Sequence, residues 1–188
     1  MTLLIIGVLL WVLLHLLPTL GTGSRQLLLD RLGTKAYRGI FSAAIVGGLV
    51  LIVIGWRATP EHYLYVLPAW SRTAGFALMI VSFVLLGVTH YRSVIKRYVR
   101  HPMLLGVVAW AASHLLTNGT TRALILFGGL GFWALLEILL INRRDGGYVK
   151  PETPGPSAEL KGLFISAIVF FVVLMLHPYF TGVTPIPR

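Results

Sequence analysis

The sequence predicts an all-α fold, a membrane bundle of six transmembrane helices, and three observations predict it. Hydrophobic residues make up 56% of the 188 residues and charged residues only 12%, too few charges to cover a soluble domain of this size. Six apolar runs approach the roughly 20 residues that a helix needs to cross a bilayer. The cations gather in every second loop, the pattern of a chain threaded back and forth through a membrane. Helices are the spanning element, because in lipid each backbone polar group must be satisfied within its own segment. Residues 1–188 are expected to form one bundle, with no room for a separate soluble domain.

The first span is Leu3–Leu20, which lacks the cationic n-region and small-residue cleavage site of a signal peptide. Ile40–Trp56, Thr73–Thr89, Pro102–Thr117, Arg122–Ile141 and Gly162–Phe180 follow. Spans two and five carry Gly47-Gly48 and Gly128, Gly129 and Gly131, small residues that let helix backbones approach closely. The loop Asn142–Lys161 holds Asp145-Gly146-Gly147 and a proline-rich PETPGP, so it reads as a flexible linker. The loop Arg57–Arg72 brings Trp56, Tyr63, Tyr65 and Trp70 to the opposite interface as an aromatic belt.

Lys and Arg set the orientation. Arg25, Arg31, Lys35 and Arg38 follow span one; Arg92, Lys96, Arg97 and Arg100 follow span three. Arg143, Arg144, Lys150 and Lys161 follow span five, which leaves Arg57, Arg72, Arg122 and Arg188 on the other side. Twelve cations against four predict that the three basic loops are cytoplasmic and both termini are outside. A net charge of +10 would suggest nucleic acid in a soluble protein, but here it is confined to loops between apolar spans, so the expected partner is the lipid bilayer and no nucleic acid. Zero cysteines exclude disulfides, thiolate metal sites and iron–sulfur clusters.

The most informative stretch is Lys96–Gly119. Arg100-His101-Pro102 ends a cationic run, and Pro102 suits a first helical turn, where its missing N–H has no partner to lose. Asn118-Gly119 stops the helix. At about 100° per residue, Met103, Gly106, Trp110, His114 and Thr117 share one stripe. Span one echoes this pattern: Gly7, Val8, Trp11 and His15 match Gly106, Val107, Trp110 and His114 as G-V-x-x-W-x-x-x-H. The two helices run in opposite directions and lie three spans apart, as an inverted repeat of three plus three helices requires.

Both tryptophans fall near mid-bilayer, and the two histidine Cα positions are offset by roughly 12 Å along the normal. Two imidazoles reaching toward each other across that offset suit the two axial positions of a haem b, with Gly7 and Gly106 leaving room for a flat macrocycle beside Trp11 and Trp110. The competing reading is two separate histidines bonded to backbone carbonyls or water. His177, at the outer end of span six, is an alternative partner for His114. His62, His90 and His101 lie at interfaces. Glu137, one turn inside the basic end of span five, is expected to form a structural ion pair with Arg92, Arg100 or Arg143. No nucleophile–base arrangement, phosphate loop or paired carboxylates can be assembled, so no enzymatic activity is assigned from the residues themselves.

The stretch HPMLLGVVAWAASHLLTNG resembles the NnrU family of bacterial inner-membrane proteins. His15, the segment Tyr37-Arg38-Gly39-Ile40-Phe41-Ser42 and the closing His177 with Gly182-Val183-Thr184-Pro185 extend the resemblance over almost the whole chain. It implies an inner-membrane location and a role supporting denitrification, through expression or activity of nitrite and nitric oxide reductases, beside respiratory or denitrification membrane proteins. A distant branch of the family is the plant-type 15-cis-zeta-carotene isomerase, a haem b protein. Its pattern is similar to Arg100-His101-Pro102, Gly106, Trp110 and His114, with His15 matching its early histidine. That branch has a cysteine three residues before the second histidine, where this chain has Ala111, so a thiolate ligand and the ligand-switch chemistry of the isomerase do not carry over. The R-H-P-x-x-x-G-x-x-x-W start followed by Glu137 also resembles membrane methyltransferases that use S-adenosylmethionine, although their second motif carries several acids and this one has a single glutamate. A scaffold or sensor without a ligand is the remaining reading.

Overall fold

The computed structural model describes residues 1–185, with Phe180 described by its backbone alone; Arg188, counted above among the outer cations, lies outside the described residues. Among the described residues the chain is helical, with no strands. Helices α1 (Thr2–Leu20), α2 (Thr22–Ala58), α3 (Ser71–Val88), α4 (Pro102–Thr117), α5 (Thr121–Asp145) and α6 (Pro156–Thr181) correspond one to one with the six expected spans. Five of them are long and apolar enough to cross a membrane. The short one is α4, whose 16 residues span about 24 Å.

Two departures from the expected boundaries have clear causes. The basic loop between spans one and two is helical: α2 starts directly after Gly21 and runs 37 residues, broken at Gly33, where φ is +75°. A non-glycine residue would be strained there, so Gly33 alone divides an exposed arm carrying Leu27, Leu28 and Leu32 from the spanning part of α2. The linker after α5 is also tied down rather than free. Arg100 donates to the Gly146 carbonyl at 2.5 Å and lies over the Tyr148 ring, the Tyr148 hydroxyl donates to the Lys96 carbonyl, and Arg97 donates to Thr153.

The helices pack in the order α2, α1, α5, α4, α3, α6, so α5 lies between the first and fourth spans. Small residues set the tightest contacts. A Cβ on Gly55 would run into the Leu4 backbone and one on Gly7 into the Ile52 nitrogen, so α1 and α2 meet backbone to backbone. Between α3 and α4 two serines bond reciprocally: Ser82 donates to the Gly106 carbonyl at 2.8 Å and Ser113 to the Gly75 carbonyl at 2.7 Å. Such bonds contribute about 0.6 kcal/mol each in a bilayer. The outward faces stay apolar, with Leu13, Phe132, Leu139, Phe164 and Phe171 more than half exposed, as side chains facing lipid are.

At the aromatic end, Arg122 at the start of α5 clasps the preceding loop. It lies 4.4 Å over the Trp56 ring, donates to the Trp56 and Thr59 carbonyls, and forms an ion pair with Glu61. Leu64 N–H donates to Gly119 and Thr121 N–H to His62, which fixes the loop across the α4–α5 turn. At the basic end, His101 reaches Asn142 of α5 at 2.9 Å and Arg100 reaches Gly146, so the two side chains hold the start of α4, where Pro102 is the first helical residue, against the end of α5.

Candidate functional site

The two echoed motifs build the same local device. His15 Nδ1 donates to the Trp11 carbonyl at 2.8 Å, and His114 Nδ1 donates to the Trp110 carbonyl at 2.9 Å. A carbonyl only accepts, so in each ring Nδ1 carries the proton and Nε2 carries the lone pair a metal would use. Four-residue spacing on a helix makes this bond possible, which is why the Trp-x-x-x-His order recurs with the same geometry.

The surroundings of the two rings then diverge. His15 stacks on Trp11 with centres 3.6 Å apart and meets the edge of Trp133 at 5.3 Å. This aromatic group joins the core formed by Leu16, Leu104, Trp133 and Ala134, near the basic end. His114 stacks on Phe127 of α5 at 4.1 Å and faces His177 of α6 with ring centres 6.4 Å apart. No ring contact joins His15 to His114. Their partners on α5, Trp133 and Phe127, are six residues apart, about 9 Å along that helix. The fold therefore brings together His114 and the alternative partner His177, and holds His15 separately.

His177 is positioned by a helix end. Gly182 takes the left-handed conformation at φ +76° and turns the chain back, so that His177 Nδ1 donates to the Val183 carbonyl at 2.9 Å. Thr181 Oγ1 lies 3.1 Å from the same nitrogen and donates to the His177 carbonyl. On the opposite side of His114, residues Leu124–Gly128 of α5 form a single π-helical turn, an irregularity often found at functional sites, and Phe127 lies within it. A metal–nitrogen distance of about 2 Å, plus about 1 Å from nitrogen to ring centre on each side, gives roughly 6 Å between two imidazoles that share one metal. The His114–His177 spacing fits that value.

Several expected roles change. Gly7 and Gly106 leave no space for a macrocycle: Gly7 is filled by α2 and Gly106 by Leu86 of α3, because both glycines are used for helix packing. Trp11 and Trp110 each pack on their own histidine and on an aromatic residue of α5. Among the described residues Glu137 makes no ion pair. Only Thr19 of α1 donates to it, its second oxygen is buried without a partner, and the indole N–H of Trp133 one turn away is in the same condition. Arg100, one of the expected partners of Glu137, is held by Gly146 and Tyr148 instead. Glu137 is also buried, with 7% of its surface exposed. Sequence reasoning missed Phe127, which lines His114, and Trp133, which lines His15, since nothing distinguishes them within a uniformly apolar span. The helical period would have placed Thr19 one turn beyond His15 and so on the same face.

The fold and these sites define a polytopic α-helical membrane protein with two histidine-bearing aromatic clusters between its helices. The chain belongs to the NnrU family: the family's model, described as NnrU protein, matches residues 3–185. No curated protein and no solved structure matches it.

Proposed function

We propose that this NnrU-family protein is a haem b-binding redox or sensor protein of the bacterial inner membrane that supports denitrification. It would act on the expression or activity of nitrite and nitric oxide reductases, beside respiratory or denitrification membrane proteins. The observation that carries the haem reading is the 6.4 Å between the ring centres of His114 and His177, the spacing of two axial ligands on one metal. When bound, the haem supplies one-electron chemistry. The protein's own residues do the rest. The Trp110 and Val183 carbonyls fix the tautomer and aim of the two ligands, and Phe127 and Trp110 pack His114 into an apolar wall. With both axial positions filled from the chain, the reading favours electron transfer or redox sensing over oxygen chemistry. The positive-inside pattern adds that both termini are periplasmic and that this pair occupies the outer half of the membrane.

An absorption spectrum of the purified protein, oxidised and dithionite-reduced, tests the reading. The expected result is a low-spin b-type spectrum that His114→Ala and His177→Ala each abolish or convert to high spin. His15→Ala and His62→Ala should leave it in place. Protein from haem-sufficient cells with no Soret band would replace this reading with that of a scaffold without a ligand.

A further inference from the structure

At the basic end, the turn leaving α3 and the tethered segment after α5 border an open hollow of about 460 Å³, lined by Thr89, His90, Arg92, Ser93, Lys96 and Glu152 among others. That is a volume suited to a small ligand. Its walls are built rather than loose: the Tyr148 hydroxyl donates to the Lys96 carbonyl at 2.5 Å and Arg97 donates to Thr153 at 2.8 Å, which pins one wall to the other. The charges inside it are not balanced. Lys96 Nζ donates to the Thr89 carbonyl at 3.1 Å, which holds the ammonium in the wall with two of its three N–H groups still to place. Arg92 is exposed, and the ion pairs of the described residues are Arg122–Glu61 and Arg144–Asp145, neither of them here. Glu159 of α6 lies behind the wall, where it accepts from the Ser93 hydroxyl at 2.6 Å and the Val94 N–H at 3.0 Å and keeps its negative charge. Glu152 is the single acid among the lining residues. The hollow sits where α3 ends and α6 begins, at the level where a bilayer presents its headgroups.

We propose that this hollow binds a phosphate group, with Arg92 and Lys96 as its cationic donors. The phosphate is either the phosphodiester of an anionic phospholipid at the membrane surface or free inorganic phosphate. Both present the same oxygens to the same donors, and basic pockets between spanning helices are suited to such groups. Glu152 in the lining and Glu159 behind it limit the affinity by repulsion. The site is independent of the histidine pair and does not require haem.

The test is thermal unfolding of the full chain in uncharged detergent, titrated in parallel with phosphatidylglycerol, phosphatidylcholine and inorganic phosphate. Ligand binding to the folded state raises the midpoint, and the rise grows with the logarithm of the ligand concentration above Kd. Phosphatidylglycerol should raise it and phosphatidylcholine should not. Arg92→Gln should weaken the apparent affinity about fivefold, the share of one cation at such a surface. Glu152→Gln should strengthen it, and the double variant Arg25→Gln, Arg31→Gln should behave as the wild type. A rise with inorganic phosphate as well identifies free phosphate as a ligand of the same site. No rise with either anion, or equal weakening by the Arg25/Arg31 variant, overturns the proposal.

Discussion

The ring centres of His114 and His177 stand 6.4 Å apart, although α6 lays its length against α3 and not against α4. The meeting depends on the turn at Gly182, which lets Val183 and Thr181 hold the imidazole from behind. Thr181→Val keeps the Val183 bond and removes the hydroxyl. It should lower the affinity for added haem about tenfold or more, the usual effect of losing a ligand's supporting hydrogen bond. Haem titration of the apoprotein measures this, and unchanged affinity would mean that Thr181 does not position the ligand.

Gly55→Ala should separate α1 from α2. The new methyl meets the Leu4 backbone, which cannot rotate away, so a loss of about 1–3 kcal/mol is expected. Gly47→Ala, on the same helix with nothing within 4 Å, should not lower the unfolding midpoint and should raise it slightly, because alanine is the better helix former. Equal effects of the two substitutions would argue against the α1–α2 contact.

Thr19→Val removes the one donor to Glu137 and leaves both carboxyl oxygens buried without a partner. The expected cost is about 1–3 kcal/mol. Glu137→Gln preserves an acceptor for Thr19 and should cost less. Urea or thermal unfolding of the two variants side by side decides the order, and the reverse order would indicate a partner for Glu137 other than Thr19.

Arg122→Lys keeps the charge but loses the flat guanidinium over Trp56 and the fork that reaches two carbonyls and Glu61. A drop of about 0.5–2 kcal/mol is expected from the ring contact. Arg144→Lys, at an exposed pair with Asp145, should have no measurable effect on the same unfolding curve.

Orientation can be read by fusion. Alkaline phosphatase joined after Arg188 should be active and joined after Gly146 inactive, as the distribution of cations between loops predicts.

The sequence alone determined the features that depend on one segment at a time. Hydropathy placed all six helices, and the bounds of α4 came out as read, because Pro102 and the Asn118-Gly119 stop act locally on the backbone. The Trp-x-x-x-His spacing placed each imidazole over its own tryptophan, since helix geometry makes residues four apart neighbours. The tertiary structure decided which helices meet. In lipid no hydrophobic difference distinguishes one apolar face from another, so the choice falls to close backbone approach and a few polar bonds. Gly7 against Ile52, Gly55 against Leu4, and Ser82 and Ser113 across α3 and α4 made that choice, and their partners lie dozens of residues away. For that reason His114 faces His177 instead of His15, and Glu137 receives Thr19 instead of an arginine.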